Sequence, residues 1–166
     1  MRFAPAAAAL SLALAMTASV SFGQERDPDP RAGMLIAEGQ AALESGDTQR
    51  AIDAFEAALA VDPGYTPTIV YLAEAARADG LQGKAIGYYR QALERDPTSI
   101  AAIAGEGEAL AEKGALEKAR LNLAKVQSLC GDSCPETRQL ATAIAAGPRK
   151  PVMTAEATVP AQPQQN

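Results

Sequence analysis

Apolar residues recur every three or four positions along most of residues 32–131, a spacing that places them on one face of an α-helix. One such stretch covers residues 34–43, and a second covers residues 51–59. Gly46 interrupts the pattern between them, and Pro63 follows the end of the second stretch. The pattern therefore predicts two helices of about a dozen residues each that pair as an antiparallel hairpin.

The hairpin pattern returns twice at a constant interval of 34 residues. Glycines mark the predicted turns and alanines mark the predicted helix crossings, so two independent series share one period. A fixed period of this length is typical of stacked helical repeats, here predicted over residues 32–65, 66–99 and 100–133. The recurring residues are the turn glycines Gly46, Gly80 and Gly114 and the alanines Ala51, Ala85 and Ala119.

A last helix is predicted over residues 135–146, after the third repeat. Its apolar positions, Leu140 and Ile144, would cover the end of the stack, because a terminal repeat needs an element with a polar outer face. The predicted fold is all-α: an α-solenoid of three helical hairpins plus a C-terminal capping helix, occupying residues 32–146.

The repeat pattern resembles that of the tetratricopeptide repeat (TPR) family over residues 32–131. That family has small residues where helices cross, a large apolar residue in the second helix and proline after it, so the resemblance implies packing roles for the matching residues. The third repeat departs at Val126, which replaces a small residue, and at Gly131, which replaces proline. The matching residues are Gly39, Ala73 and Gly107 in the first helices, Ala51, Ala85, Ala119, Phe55, Tyr89, Ala58 and Ala92 in the second helices, and Pro63 and Pro97 after them.

The resemblance also implies a concave groove, which the first helix of each repeat lines in this family. Glu74 and Glu108 occupy equivalent positions, so we expect an acidic ladder on one wall. The groove is predicted to bind a protein or peptide segment, extended or helical, that is apolar with basic residues; an ordinary solvated face is the alternative. The predicted groove residues are Ile36, Gln40, Leu43, Val70, Tyr71, Glu74, Arg77, Ala104, Glu108 and Ala111.

Some members of the family hold acidic chaperone tails with a clamp of lysine and asparagine side chains. At two of the asparagine positions this chain has Gln40 and Glu74. A chaperone tail is therefore disfavoured as the partner.

Lysine and arginine total 15, aspartate and glutamate total 20, the formal net charge is −5, and the chain has no histidine. Interleaved acids and bases lack the basic face that phosphate backbones require, so a nucleic-acid partner is not expected. The absence of histidine removes the commonest metal ligand and general base. A Gly-rich phosphate loop and a Ser/His/Asp set are also absent, so the sequence predicts a non-enzymatic protein without a cofactor or metal.

Residues 1–23 have the pattern of an export signal. Arg2 gives a positive start, the apolar run over residues 6–20 is short for a membrane span, and Gly23 is a small residue before a cut at Gln24. We expect a cleavable signal peptide and a periplasmic or secreted protein without membrane insertion after cleavage. An uncleaved membrane anchor is the alternative.

Two short segments flank the repeats. Residues 24–31 carry two Asp-Pro pairs, and residues 147–166 are rich in Pro, Gln, Ala and Thr. Both segments are predicted to be disordered.

Cys130 and Cys134 are the only cysteines and lie at the predicted turn before the capping helix. In an oxidising compartment such a pair more often forms a structural bridge than an active site. Because Cys134 lies near a helix N-terminus, a thiol redox site is the alternative. The sequence thus favours a protein-binding scaffold or adaptor of the bacterial cell envelope, and leaves open a structural subunit of an envelope assembly or a thiol redox protein.

Overall fold

The structure, a computed structural model, describes residues 26–149, which form seven α-helices and no strand within that range. The predicted all-α repeat fold is confirmed. The predicted signal peptide and residues 150–166 lie outside the described residues. The helices are α1 (Pro30–Glu44), α2 (Thr48–Val61), α3 (Pro67–Ala78), α4 (Gln82–Arg95), α5 (Ile100–Glu112), α6 (Leu116–Cys130) and α7 (Pro135–Ala146).

Three helical hairpins, α1–α2, α3–α4 and α5–α6, stack in chain order, and each bends at an equivalent glycine. Gly46, Gly80 and Gly114 have φ angles of +82°, +79° and +87°. Backbone in this left-handed region favours glycine because a Cβ atom would be strained there. The repeated turn glycines therefore set the hairpin geometry three times.

The starts of α2 and α5 follow local capping chemistry, and the start of α3 is an exception. Thr66 precedes α3 but makes no side-chain cap hydrogen bond, because its own backbone is already helical. The side chain of Asp47 caps α2 by accepting from the N–H of Arg50, and that of Ser99 caps α5 by accepting from the N–H of Ala102. Each such cap satisfies one backbone donor that the first turn leaves free.

Small residues let the helices approach closely around a few large side chains. The rings of Phe55 and Tyr89 are fully buried, and a Cβ atom added to Gly39 would lie 2.5 Å from the Phe55 ring. Pro63 and Pro97 are exposed, so their predicted packing role is wrong; they follow the ends of α2 and α4, which proline cannot extend. The other predicted packing residues are buried: Gly39, Ala51, Phe55, Ala58, Ala73, Ala85, Tyr89, Ala92, Gly107 and Ala119.

Helix α7 packs against both α5 and α6 at the end of the stack. Its Leu140 is fully buried and fills the space over Gly107, where an added Cβ would lie 2.8 Å from the leucine methyl carbons. The preceding turn is held by Thr137, whose hydroxyl donates to the carbonyl of Gly131 at 2.8 Å.

The described part of the predicted N-terminal lead is ordered against the first hairpin, which corrects the prediction of disorder for residues 26–31. Arg26 Nη2 lies 2.7 Å from Asp62 Oδ1, and the backbone N–H of Asp29 donates to Asp62 Oδ2 at 3.0 Å. Helix α1 begins at Pro30 rather than at residue 32, because proline at a first helical position and an aspartate cap extend it.

No helix within residues 26–149 combines the length and the apolar character needed to cross a membrane.

Candidate partner-binding groove

Burial removes several residues from the predicted groove lining. Ile36, Ala104 and Ala111 are buried and line neither of the cavities described below, so their prediction as groove residues is wrong. Ile36 packs in a core cluster with residues of α2 and α3, and Ala104 packs in a cluster with Leu140 of α7. The neighbouring repeat and the capping helix therefore cover these positions. Gln40 is exposed and Leu43 is half-buried, and neither lines a cavity described below.

Three predicted groove residues, Val70, Tyr71 and Glu74, line one cavity of about 350 Å³. We call it the α3–α5 cavity, because residues at the N-terminal parts of those two helices form much of its wall. The ring of Tyr71 stacks on buried Phe55 with a centroid separation of 5.6 Å, which holds one apolar wall in place. The remaining lining residues are Arg26, Gly64, Tyr65, Thr66, Pro67, Asp96, Ser99 and Ala101.

Glu74 is the acidic group between the apolar wall of this cavity and the rest of the groove. Its side chain is half-buried and forms no ion pair or hydrogen bond within the described part of the chain. Burial raises the pKa of Glu74, an effect that nearby Arg77 opposes and nearby Glu108 reinforces. A basic ligand group placed here would form an ion pair with Glu74, whose carboxylate has no such pair among the described residues.

Further along α3, Arg77 forms a charged cluster with α5. Its guanidinium pairs with Glu108 and lies 3.4 Å from Glu112 Oε1, and Arg149 Nη2 lies 2.9 Å from the same Glu112 oxygen. The predicted acidic ladder of Glu74 and Glu108 is therefore wrong as a continuous negative wall, because Arg77 reaches across from α3 and neutralises Glu108.

This cluster forms the floor of a wide, open depression of about 650 Å³. Helix α7 supplies the opposite side through polar residues that include Arg138, Gln139 and Thr142. The predicted groove residues are thus divided: Val70, Tyr71 and Glu74 are at the α3–α5 cavity, and Arg77 and Glu108 are at the depression.

Several residues at the groove were not predicted from the sequence. Arg26 and Asp96 line the α3–α5 cavity, and Glu112 and Arg149 belong to the charged cluster. Asp96 could have been found from the sequence, because it follows Asp62 at the 34-residue interval of the repeat. No sequence pattern identifies Arg149 as a groove residue, because its position depends on how the chain turns after α7.

Cys130 and Cys134 form a disulfide between the end of α6 and the start of α7, with their Cα atoms 5.7 Å apart. Glu136 Oε2 lies 2.8 Å from Cys134 Sγ, so three atoms with metal-ligand chemistry are close together. Joined sulfurs have no thiolate to give to a metal. The arrangement is that of a covalent tie between two helices.

Comparisons with known proteins agree on the fold. The sequence profile described as "Tetratricopeptide repeat" matches residues 32–65, and a search of curated protein sequences found no significant match. The TPR domain of Sgt2 from Aspergillus fumigatus is 26% identical, with a TM-score of 0.65 over 84% of this chain and 89% of that one.

Two further solved structures are similar and contain bound peptides. The first TPR of Spaghetti (RPAP3), bound to the HSP90 peptide SRMEEVD, is 20% identical, with a TM-score of 0.64 over 72% of this chain and 98% of that one. The Yersinia enterocolitica type III secretion chaperone SycD, in complex with a peptide of the translocator YopD, is 24% identical, with a TM-score of 0.59 over 69% and 86%.

Proposed function

The chain is a tetratricopeptide repeat protein, and from that premise we propose that it is a non-enzymatic adaptor that binds a protein or peptide segment in its groove. Similar folds carry bound peptides in the Spaghetti and SycD structures, which supports a peptide-binding role. Because one fold serves many partners, the ligand chemistry must come from the residues of this groove.

Glu74 is the observation on which the proposed ligand rests. An unpaired, half-buried carboxylate lies beside a cavity walled by Val70 and Tyr71. A segment with an apolar side chain next to a lysine or arginine would fill the cavity and pair with Glu74. Charge-assisted hydrogen bonds in partly desolvated sites are stronger than neutral ones, so this pair would set the charge preference.

An acidic ligand is disfavoured by the same carboxylate. The peptide in the Spaghetti structure, SRMEEVD, has three acidic residues among its last four. In this chain an acidic segment would face Glu74, and Glu108 would repel it further except where Arg77 neutralises that carboxylate. We therefore propose a ligand different in charge from that peptide.

Selection from a random peptide library tests this proposal. We expect the wild-type chain to enrich peptides with an apolar residue adjacent to lysine or arginine. Glu74→Gln removes the charge with little change in size, and the enrichment for basic residues should disappear. The matched control is Glu56→Gln, which neutralises an exposed carboxylate on α2. Failure to enrich peptides, or equal enrichment of basic peptides by Glu74→Gln, would overturn the proposal.

We also propose that the adaptor works in the bacterial cell envelope. Residues 1–23 supply the export pattern described above, and a disulfide at Cys130 and Cys134 persists in oxidising compartments rather than in the cytosol. Both observations support export, followed by removal of the signal peptide after Gly23.

A further inference from the structure

The chain does not leave the fold at the end of α7 but returns to the groove. Gly147 has a φ of +73°, and the next two residues cross to the C-terminal end of α5. The backbone N–H of Arg149 donates to the carbonyl of Glu112 at 2.9 Å, and Pro148 lies beside Gly114. We call residues 147–149 the exit segment. Their contacts correct the prediction that disorder begins at residue 147.

Arg149 anchors the exit segment at the ends of two helices. Its guanidinium pairs with Glu112 Oε1 at 2.9 Å and donates to the carbonyl of Arg77 at 3.4 Å. Arg77 lies in the last turn of α3, and Glu112 is the last residue of α5. Helix C-termini present free carbonyls and partial negative charge, which favour a cation at this position.

The charged cluster and nearby Glu74 together keep a negative excess after Arg149 is counted. Three carboxylates, Glu74, Glu108 and Glu112, face the two guanidinium groups of Arg77 and Arg149. Glu112 Oε2 is buried without a hydrogen-bond donor among the described residues. The carboxylate of Glu74 is therefore left without a matching positive charge close to where the exit segment arrives.

The Arg149 guanidinium lies 3.4 Å from the Arg77 carbonyl, and α3 leads from Arg77 back to the α3–α5 cavity. From Arg77 back to Val70, α3 covers seven residues, or about 10 Å at 1.5 Å per residue. An extended chain advances about 3.3 Å per residue, so three or four residues span that distance. The residues that follow Arg149 are Lys150, Pro151, Val152 and Met153. Proline disfavours helix at the residue before it, and the sequence Lys150-Pro151 has that property.

We propose that Lys150–Met153 docks along α3 as an internal ligand of the groove, with Lys150 at Glu74 and Glu108 and with Val152 and Met153 against Val70 and Tyr71. Its residues have the chemistry assigned above to the external partner, a base followed by apolar side chains. The segment therefore competes with that partner, and a partner binds only after displacing it. This inference deepens the proposed function and rests on the same groove.

Methionine methyl groups report docking without any partner. The full sequence has four methionines, of which Met153 is in the proposed ligand and Met34 is exposed on α1. In chain labelled with ¹³C-methyl methionine, Met153→Leu identifies the resonance of Met153. We expect that resonance to be displaced from its position in a free peptide of residues 147–166, because it would lie beside the Tyr71 ring.

Two substitutions should release the segment and move the Met153 resonance to its free-peptide position: Glu74→Gln and Lys150→Ala. Lys118→Ala, which removes an exposed lysine on α6, is the matched control and should leave the resonance in place. The Met34 resonance should not move in any variant. A Met153 resonance at the free-peptide position in the wild-type chain would overturn the inference.

A second measurement separates this inference from the proposed function. The variant Val152→Asp/Met153→Asp should bind a selected basic peptide about 10-fold more tightly than wild type if the segment occupies the groove nine-tenths of the time. Val159→Asp is its matched control. If the chain binds selected peptides while the Met153 resonance is at its free-peptide position, docking of residues 150–153 is refuted and the proposed function stands. If the Met153 resonance is displaced but no peptide is selected, the external peptide ligand is refuted and docking stands.

Discussion

Single glycines decide how closely the helices of this protein pack. At Gly39 the missing Cβ leaves room for the buried ring of Phe55, and at Gly107 it leaves room for Leu140. Gly87, by contrast, is exposed on α4 with nothing within 4 Å of its would-be Cβ. The same residue type is therefore a packing requirement at two positions and only a weak helix former at the third.

Gly39→Ala should destabilise the protein, whereas Gly87→Ala should stabilise it. Overpacking against a buried ring costs about 1–3 kcal/mol, which outweighs a helix-propensity gain of about 1 kcal/mol. At Gly87 only the gain remains, so the free energy of unfolding should rise by about 0.5–1 kcal/mol. Urea unfolding followed by circular dichroism measures both values, and a change of the same sign in the two variants would contradict the packing argument.

Asp62 should make stability depend on pH at the acidic end. The hydrogen bond from the Arg26 guanidinium, and then the one from the N–H of Asp29, hold the pKa of the Asp62 carboxyl below its ordinary value. Its contribution is therefore present above the ordinary aspartate pKa of about 3.9 and is lost as pH falls through the lower folded-state value. Asp62→Asn should lose stability at neutral pH, and the difference from wild type should shrink below about pH 4.

Urea unfolding of wild type and Asp62→Asn at neutral and acidic pH measures that difference. Asp53→Asn, which alters an exposed aspartate on α2, is the matched control. An Asp62→Asn deficit that stays constant from neutral to acidic pH would show that the Arg26 and Asp29 contacts do not stabilise the charged form.

At the scale of helices, the sequence predicted the elements well because their signals are local. Apolar spacing placed the hairpins, and Gly80 and its two equivalents marked the turns. Where prediction erred, a local detail overrode the repeat: Pro30 and the cap at Asp29 start α1 before residue 32. The divided groove could not be read from the sequence, because the reach of Arg77 and the burial of Ala104 depend on neighbouring helices.

The Cys130–Cys134 disulfide joins the end of α6 to the start of α7, and its removal should loosen the capping helix. Closing a loop between residues four apart in sequence contributes about 2 kcal/mol on the loop-entropy estimate. Cys130→Ser/Cys134→Ser should lower the free energy of unfolding by about that amount. Amide hydrogen exchange should accelerate in α7 more than in α1.

A reducing agent provides the control for that pair of substitutions. It should reproduce the stability loss in wild type and have no effect on the double variant. Equal stability of oxidised and reduced wild type would show that the bond does not hold α7 on the stack.

At the scale of the whole molecule, the segment at each end of the stack is held by one arginine ion pair. Arg26 binds Asp62 before α1, and Arg149 binds Glu112 after α7. In a linear stack each repeat contacts only its neighbours, so the outermost helices have one packing face fewer than the inner ones. These contacts, together with the disulfide, hold the terminal helices in place.

Export should remove the first 23 residues from the full-length chain. When the protein is expressed in a bacterial host, the envelope fraction should contain it with the mass of a chain whose first residue is Gln24. Gly23→Leu places a large residue where signal cleavage needs a small one, and the precursor should then accumulate at the membrane. Wild-type protein of full-length mass in the membrane fraction would instead indicate an uncleaved anchor.

The three turn glycines occupy equivalent bends of the stacked hairpins, and nothing lies within 4 Å of a would-be Cβ at Gly46 or Gly80. A bend with open space beside its glycine can be lengthened with little disturbance of the helices it joins. A reporter peptide or surface-attachment tag inserted at the Gly46 bend, which is remote in the chain from Arg77 and from α7, should leave both the capping helix and the groove intact. The molecule thus offers a handle for immobilisation that keeps its binding side free.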